Sequence, residues 1–115
     1  MSLDSAFGVH CDRRANAVVV IVTGELDLDS ADVLRQALSS PEAQAPTVVL
    51  DLRSVSFIDS SGLSVVVDRH RRASAADSRF VVAVGGAPAV ERLFDLTGLR
   101  GAITLVQDPE AALEA

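Results

Sequence analysis

Short apolar runs alternate with segments of helical periodicity along this chain. Runs that are dense in β-branched residues and bounded by turn residues are typical of buried strands. Such runs occur at residues 17–22, 47–52, 79–84 and 103–106. A weaker run at 7–13 precedes the first of them, and the two predict an N-terminal β-hairpin that turns at Ala15 and Asn16. From residue 17 onward strand and helix alternate, which implies crossover connections and a mostly parallel sheet.

Helices are predicted between these strands. A short oxygen side chain can cap a helix by accepting from its first amides. The first helix is therefore expected to begin at Asp29 or Ser30, and the second at Asp59 or Ser60. By helical spacing the inward faces carry Val33, Leu34, Ala37 and Leu38 in the first helix, and Leu63, Val66, Val67, His70 and Ser74 in the second.

Proline and glycine mark the ends of the last two helices. Pro88 suits the first turn of a third helix and Gly98 the position just beyond its end. Pro109 opens a closing helix that is expected to reach Ala115. The pattern as a whole predicts a single α/β domain over residues 1–115, with its core at about 7–113. The fold class is a mixed, mostly parallel β-sheet with an N-terminal β-hairpin and about four helices.

Composition and charge narrow the class of protein. The apolar share is 49%, but the only aromatic residues are four phenylalanines, so the core should be aliphatic. The formal net charge is −6, and all ten basic residues are arginine. An acidic surface repels phosphates, which argues against nucleic acid as a partner and against docking on anionic membranes.

Three features of the sequence predict that the protein is cytoplasmic. A single cysteine, Cys11, cannot form an internal disulfide, which fits a reducing environment. The longest apolar run, 17–22, is far shorter than the roughly 20 residues that a membrane span needs. The first five residues have neither the basic start nor the apolar stretch of a signal peptide.

The segment from Phe57 to Leu63 carries the densest functional signal. Asp59, Ser60 and Ser61 stand at a predicted helix start, and Gly62 follows inside the first turn. Glycine there costs about 1 kcal/mol relative to alanine, which indicates that something approaches the backbone closely. A helix N-terminus also favours anions, so a phosphate on Ser60 or Ser61 would suit this field. The simpler alternative is that Asp59 or Ser60 only caps the helix and Gly62 makes room for a packed neighbour.

Other chemistry has weaker support. A serine hydrolase would carry a G-x-S-x-G pentad, which this sequence lacks. His10 and Cys11 are adjacent but have no second ligand pair at metal spacing, so no metal site is expected. Gly85-Gly86 lacks the frame of a phosphate-binding loop, and the chain contains no lysine. We therefore expect no catalytic residue, metal or cofactor.

Three motifs in order carry a resemblance to a known family. They are Thr23-Gly24-Glu25-Leu26-Asp27, Asp59-Ser60-Ser61-Gly62-Leu63, and the stretch from Arg92 to Leu99. Together they resemble the STAS-domain family, and among its members the stand-alone anti-sigma factor antagonists of bacteria. The resemblance implies a STAS-like fold and a regulatory switch rather than an enzyme. It also implies that Ser60 is phosphorylated by an anti-sigma factor that is itself an ATP-dependent serine kinase, and is reset by a phosphoserine phosphatase.

The resemblance also implies a surface for the partner. Family contacts use the loop after the second strand and the outer face of the helix that bears the phosphorylated serine. The corresponding residues here are Glu25, Asp27, Asp29 and Ser30 in the loop and, by helical spacing, Ser61, Ser64, Val65, Asp68 and Arg69 on the helix. Two other functions stay open. One is a STAS interaction subunit of a transport or stress-signalling complex without the phosphorylation switch, and the other is a small hydrolase that uses Ser60.

Overall fold

The computed structural model describes residues 7–113, which form one five-stranded sheet with helices on both faces. The strands follow one another across the sheet in the order β1-β2-β3-β4-β5. β1 pairs with β2 antiparallel, and the later pairs are parallel. The mixed, mostly parallel sheet with a leading hairpin is therefore confirmed. The elements are β1 (Gly8–Arg13), β2 (Ala17–Leu26), α1 (Leu28–Ser39), β3 (Thr47–Ile58), α2 (Ser60–Ala75), β4 (Arg79–Ala83), α3 (Pro88–Leu96), β5 (Thr104–Val106) and α4 (Pro109–Leu113).

The two faces of the sheet are covered unequally. Each crossover from β2 to β5 moves to the next strand in the same direction, and right-handed crossovers of that kind place their helices on one face. The larger core accordingly joins the sheet to α1, α2 and α3. On the opposite face Ala112 of α4 packs against Val19, Val49 and Val81. The alternation of strands and helices alone does not determine whether helices cover one face of the sheet or both. In the structure they cover both faces.

The core is aliphatic, as composition predicted. Its fully buried large side chains are leucine, isoleucine and valine, together with Phe94 of α3. Helices of this domain are also short. Within residues 7–113, none combines the length and the apolar character that crossing a membrane requires.

Both central strands extend further than the sequence pattern indicated. β2 continues through Thr23 and Gly24 to Leu26, and β3 continues past Leu52 to Ile58. The register between the two strands shifts at two places near the end of β2, and Gly24 has a φ of 96° there. Irregularities of this kind interrupt the alternation of inward and outward residues in a strand, so the sequence pattern predicted strands that are too short. With the register shifts included, β2 and β3 end at paired residues.

The cap of α1 differs from the prediction. Neither Asp29 nor Ser30 is the N-cap; Asp27 is. Its carboxylate accepts a hydrogen bond from the Ser30 N–H at 3.2 Å, and the Ser30 Oγ accepts one from the Asp27 N–H at 2.9 Å. This reciprocal pair is a capping box in which serine takes the place of the usual Glu or Gln. The end of α3 is as predicted, because Gly98 lies in the left-handed region just beyond it. The predicted extension of α4 to Ala115 falls outside the described residues.

The inward faces of α1 and α2 are only partly as predicted. In α1, Leu34 and Leu38 are buried but Val33 is 52% exposed. In α2, Leu63 and Val66 are buried, Val67 and His70 are half-buried, and Ser74 is exposed. The remaining buried positions of α2 include Val65, Arg69 and Ala73. They are buried because α2 packs against α1 as well as against the sheet, and a sequence pattern does not reveal that second neighbour.

The turn after α2 offers a stabilising substitution. Asp77 has a φ of 57°, in the left-handed region that disfavours residues other than glycine, and it directly follows the end of a helix, where a negative charge is also unfavourable. Asp77→Gly is expected to raise the free energy of unfolding by about 0.5–1 kcal/mol, the net of relieved strain and the higher chain entropy of glycine. Urea unfolding checks this value. Asp77→Asn removes only the charge and should give a smaller gain; a decrease for Asp77→Gly would contradict the prediction.

Candidate functional site

Two helix N-termini lie side by side at one edge of the sheet. β2 and β3 end at the paired residues Leu26 and Ile58. The next residues, Asp27 and Asp59, cap α1 and α2. The Asp59 N–H also donates to the Leu26 carbonyl at 3.3 Å, which ties one helix start to the other. The loop after β2 and the serines of α2, two separate parts of the sequence-predicted site, are therefore brought together.

Gly62 is required by the close packing of α2 on β2. A Cβ atom at this position would lie 2.6 Å from the Leu26 Cγ and 2.8 Å from the Leu26 carbonyl oxygen. These separations are shorter than carbon contacts allow, and one of the two partners is backbone. The alternative that Gly62 makes room for a packed neighbour is thus confirmed. The same packing buries the adjacent Leu63.

Asp59 is the cap of α2, as the simpler alternative proposed. Its Oδ1 accepts from the Ser61 N–H at 2.9 Å and from the Gly62 N–H at 3.2 Å. Two amides of the first turn are therefore already used by the protein's own carboxylate. A phosphate on Ser60 would feel the positive end of the helix dipole, but these two donors are already occupied by Asp59.

Several exposed residues lie near the ends of β2 and β3 or in the first turns of α1 and α2, and we call this set the Ser60 edge. Ser60 itself is exposed at the first position of α2, and Ser61 is half-buried. Two large apolar residues share this edge: Leu28 is 73% exposed and Phe57 is 46% exposed. The Ser60 edge is defined as Leu28, Asp29, Phe57, Ser60 and Ser64, all of them exposed.

Leu28 lies within the predicted contact loop, Glu25 to Ser30, but was not singled out there, and Phe57 was not among the predicted contact residues. Their signal in the sequence is a large apolar residue next to polar ones: Asp27 and Asp29 flank Leu28, and Ser56 precedes Phe57. Scattered exposed apolar residues are common, so this signal becomes informative only when the fold places both at the same edge as Ser60.

The structure divides the predicted partner-binding residues into three groups. Those exposed are Glu25, Asp29 and Ser64; those half-buried are Asp27, Ser61 and Asp68; and those buried are Ser30, Val65 and Arg69. The outward orientation expected for Val65 and Arg69 is wrong, and Ser30, expected as a loop contact, is buried as well. Ser30 is held in the capping box and donates to the Glu25 carbonyl at 2.7 Å. Val65 and Arg69 face α1, because α2 turns a second side toward that helix.

The sequence Arg69-His70-Arg71-Arg72 near the end of α2 predicts a solvated cluster, because cations are favoured at a helix C-terminus. This prediction is wrong for Arg69. Its side chain is only 8% exposed, and its guanidinium lies 5.5 Å from the centre of the Phe80 ring. Burial, together with the nearby charge of Arg72, lowers the pKa of Arg69 from its usual value. The neighbouring Arg71 and Arg72 are exposed, as expected.

The geometry gives no support to nucleophilic or metal chemistry. His70 lies ten residues beyond Ser60 on the same helix, roughly 15 Å away at 1.5 Å per residue, so it cannot act as a base for that hydroxyl. His10 and Cys11 are opposite Ile21 and Val20 in the hairpin, and successive strand residues point to opposite faces. Burial raises the pKa of Cys11, and the charge of Glu42 adds to the effect, which keeps the thiol protonated near neutral pH.

Comparison with known proteins gives a consistent family. The STAS domain matches residues 9–112 of the chain. An anti-sigma-B factor antagonist of Bacillus subtilis (strain 168) is 31% identical over 113 residues, which cover 92% of this chain and 96% of the relative. An anti-sigma F factor antagonist of Paenibacillus polymyxa is 29% identical over 93 residues, 79% of each chain.

Solved structures agree with these relatives. The crystal structure of an anti-sigma factor antagonist from Mycobacterium paratuberculosis is similar with a TM-score of 0.87 and 28% identity, over 99% of this chain and 97% of that one. The Bacillus cell fate determinant SpoIIAA in its phosphorylated form is similar with a TM-score of 0.69 and 25% identity, over 95% of this chain and 97% of that one.

Proposed function

The chain belongs to the STAS-domain family, and we propose that it is an anti-sigma factor antagonist switched off by phosphorylation of Ser60. In the unmodified state it binds an anti-sigma factor and so frees a sigma factor for transcription. The anti-sigma factor is also a serine kinase, and phosphorylation of Ser60 ends the complex. A phosphoserine phosphatase restores the unmodified state. The protein itself is not an enzyme in this scheme, and it acts in the cytoplasm.

The observation that carries the proposal is the position of Ser60. It is exposed at the first residue of α2, next to the cap Asp59 and at the edge where both helix starts meet. A kinase can therefore reach the hydroxyl without unfolding the domain. Two findings from relatives support the same assignment: similar proteins are named anti-sigma factor antagonists, and SpoIIAA has been determined in a phosphorylated form.

The Ser60 edge has the composition of a protein-binding surface. Leu28 and Phe57 supply exposed apolar area, and aromatic residues such as Phe57 are enriched at protein interfaces. Glu25 and Asp29 are exposed beside them. With a net charge of −6 for the chain, these acids favour a partner with a basic face, to which the protein is steered electrostatically.

Phosphorylation changes the charge at the centre of this edge. The kinase transfers the γ-phosphoryl group of ATP to the Ser60 Oγ, the hydroxyl proton is released, and ADP leaves. The product carries about −1.5 to −2 additional charges at pH 7. Because Asp59 already holds the Ser61 and Gly62 amides, the phosphate is expected to stay exposed and to face the partner. Release then follows from desolvation and repulsion within the interface.

Intact-mass measurement after incubation with a candidate anti-sigma kinase and ATP tests the proposal. The expected result is one added phosphate on the unmodified chain and none on Ser60→Ala. Ser61→Ala is the matched control, because it removes the neighbouring hydroxyl and should leave the phosphate in place. Phosphate that persists in Ser60→Ala would contradict the assignment. If every anti-sigma kinase of the source organism fails to modify the chain, the STAS interaction subunit without a switch becomes the better explanation.

A further inference from the structure

A positively charged groove lies between the C-terminal halves of α1 and α2. Its volume is about 420 Å³, and Arg69 and Arg72 of α2 line it. Leu38 and Ala45 form an apolar wall, and Ser39 and Ser78 add hydroxyl groups. Arg72 lies twelve residues beyond Ser60, roughly 18 Å along the helix, so the groove is separate from the Ser60 edge.

Arg69 is an unusual component of this groove because it is buried without an acidic partner. Its side chain is 8% exposed, and among residues 7–113 no carboxylate lies within ion-pair distance of its guanidinium. The guanidinium donates no hydrogen bond to these residues, and none of its nitrogens is a fully buried atom without a partner, so its N–H groups reach solvent. Its one specific contact is the face of the Phe80 ring at 5.5 Å. Arg69 therefore brings to the groove N–H donors that no carboxylate of the protein occupies.

Arg72 adds a second charge that the protein does not neutralise. Its Nη1 donates to the Ser39 Oγ at 3.3 Å, which is a neutral acceptor. A third arginine nearby, Arg35, pairs with Asp68 at 3.4 Å, so those two charges cancel. The groove therefore holds the net charge of two arginines in a chain whose overall charge is −6.

We propose that this groove binds a phosphate monoester, with the phosphate held between Arg69 and Arg72. A guanidinium group presents paired N–H donors that match phosphate oxygens. Two such groups neutralise a dianionic phosphate, whereas a single carboxylate would leave one of them unpaired. The hydroxyls of Ser39 and Ser78 offer further donors, and the wall formed by Leu38 and Ala45 accommodates an apolar organic group. The proposal does not depend on the phosphorylation of Ser60.

Isothermal titration calorimetry with inorganic phosphate and with phenyl phosphate, at fixed ionic strength in chloride, tests the proposal. Phenyl phosphate is expected to bind more tightly than inorganic phosphate because its ring reaches the apolar wall. Arg72→Gln should weaken binding by about tenfold or more, the equivalent of one charge-assisted hydrogen bond. Arg71→Gln is the matched control: it removes the same charge from an exposed neighbour that does not line the groove, and it should bind normally.

Two further arms complete the test. Arg69→Met keeps the apolar stem that packs against Phe80, so it should abolish binding while its circular-dichroism spectrum stays native. Sedimentation with phosphatidic acid vesicles separates the two sources of a phosphate monoester: binding of the soluble ligands identifies a dissolved metabolite, and binding to vesicles alone identifies a lipid headgroup. Equal weakening by Arg71→Gln and Arg72→Gln, or no binding of any of the three probes, would overturn the proposal.

Discussion

Phosphorylated at Ser60, the protein is expected to bind its anti-sigma factor several hundredfold more weakly than the unmodified form. Like charges brought together across an interface cost several kcal/mol, and about 3–4 kcal/mol corresponds to that factor at 1.4 kcal/mol per tenfold. The structure adds a reason why the phosphate is not absorbed locally. The amides of Ser61 and Gly62, which could have neutralised it, donate to Asp59 instead.

Ser60→Asp reproduces part of this effect without a kinase. It places about half the charge of a phosphate at the same exposed position, and we expect affinity to fall by roughly tenfold or more. Ser74→Asp is the matched control, because it makes the same substitution at an exposed serine near the opposite end of α2. Titration calorimetry against the purified anti-sigma factor measures both variants.

The salt dependence of binding distinguishes long-range electrostatic steering, which affects the association rate, from short-range repulsion within the interface, which affects affinity. Raised salt should slow association of every form, because steering of an acidic protein is screened beyond about 10 Å at 0.1 M. It should not restore binding of Ser60→Asp, since close contacts inside an interface are poorly screened. Equal affinities for Ser60→Asp and Ser74→Asp would show that Ser60 does not lie in the interface.

Gly62→Ala is expected to lower the free energy of unfolding by about 1–3 kcal/mol. Alanine is the better helix former by about 1 kcal/mol, so propensity alone predicts the opposite sign. The added Cβ would stand 2.8 Å from the Leu26 carbonyl oxygen, however, and backbone at the end of a paired strand cannot move aside easily. Overpacking of this kind costs 1–3 kcal/mol or occasionally more, and it should outweigh the propensity.

Gly101→Ala is the matched control for this prediction. A Cβ at Gly101 meets no atom within 4 Å, and its φ is not in the left-handed region. That substitution should be neutral or stabilising by up to about 1 kcal/mol, because alanine restricts the unfolded chain. Urea unfolding compares the two variants directly. If Gly62→Ala proves as stable as Gly101→Ala, the contact between α2 and β2 is looser than the structure indicates.

Much of the fold could be predicted because it is encoded in local patterns. Apolar runs located all five strands, and the alternation with helices indicated a parallel sheet whose right-handed crossovers then determine which face most of the helices occupy. The position of the candidate site was also predictable, since the motif around Asp59 and Gly62 combines a cap with a glycine that helix propensity disfavours.

Features that depend on distant neighbours could not be predicted in this way. The burial of Val65 and Arg69 requires α1 to lie alongside α2, and no periodicity within α2 reports it. The cap of α1 is Asp27 because β2 continues through an irregular stretch to Leu26. Leu28 and Phe57 are far apart in the sequence, and they lie at the same end of the sheet only because β2 and β3 end at paired residues. These errors concern which elements meet and where an element ends, rather than which elements form.

The strand order has a consequence for how the domain is made. Every strand pairs with its neighbour in the sequence, so the sheet can grow at one edge as the polypeptide emerges from the ribosome, with no strand waiting for a distant partner. Pairing between consecutive strands keeps contact order lower than it would be if distant strands paired in the same sheet. The elements that carry the Ser60 edge all lie between Ala17 and Ala75, so they are synthesised before β4 begins.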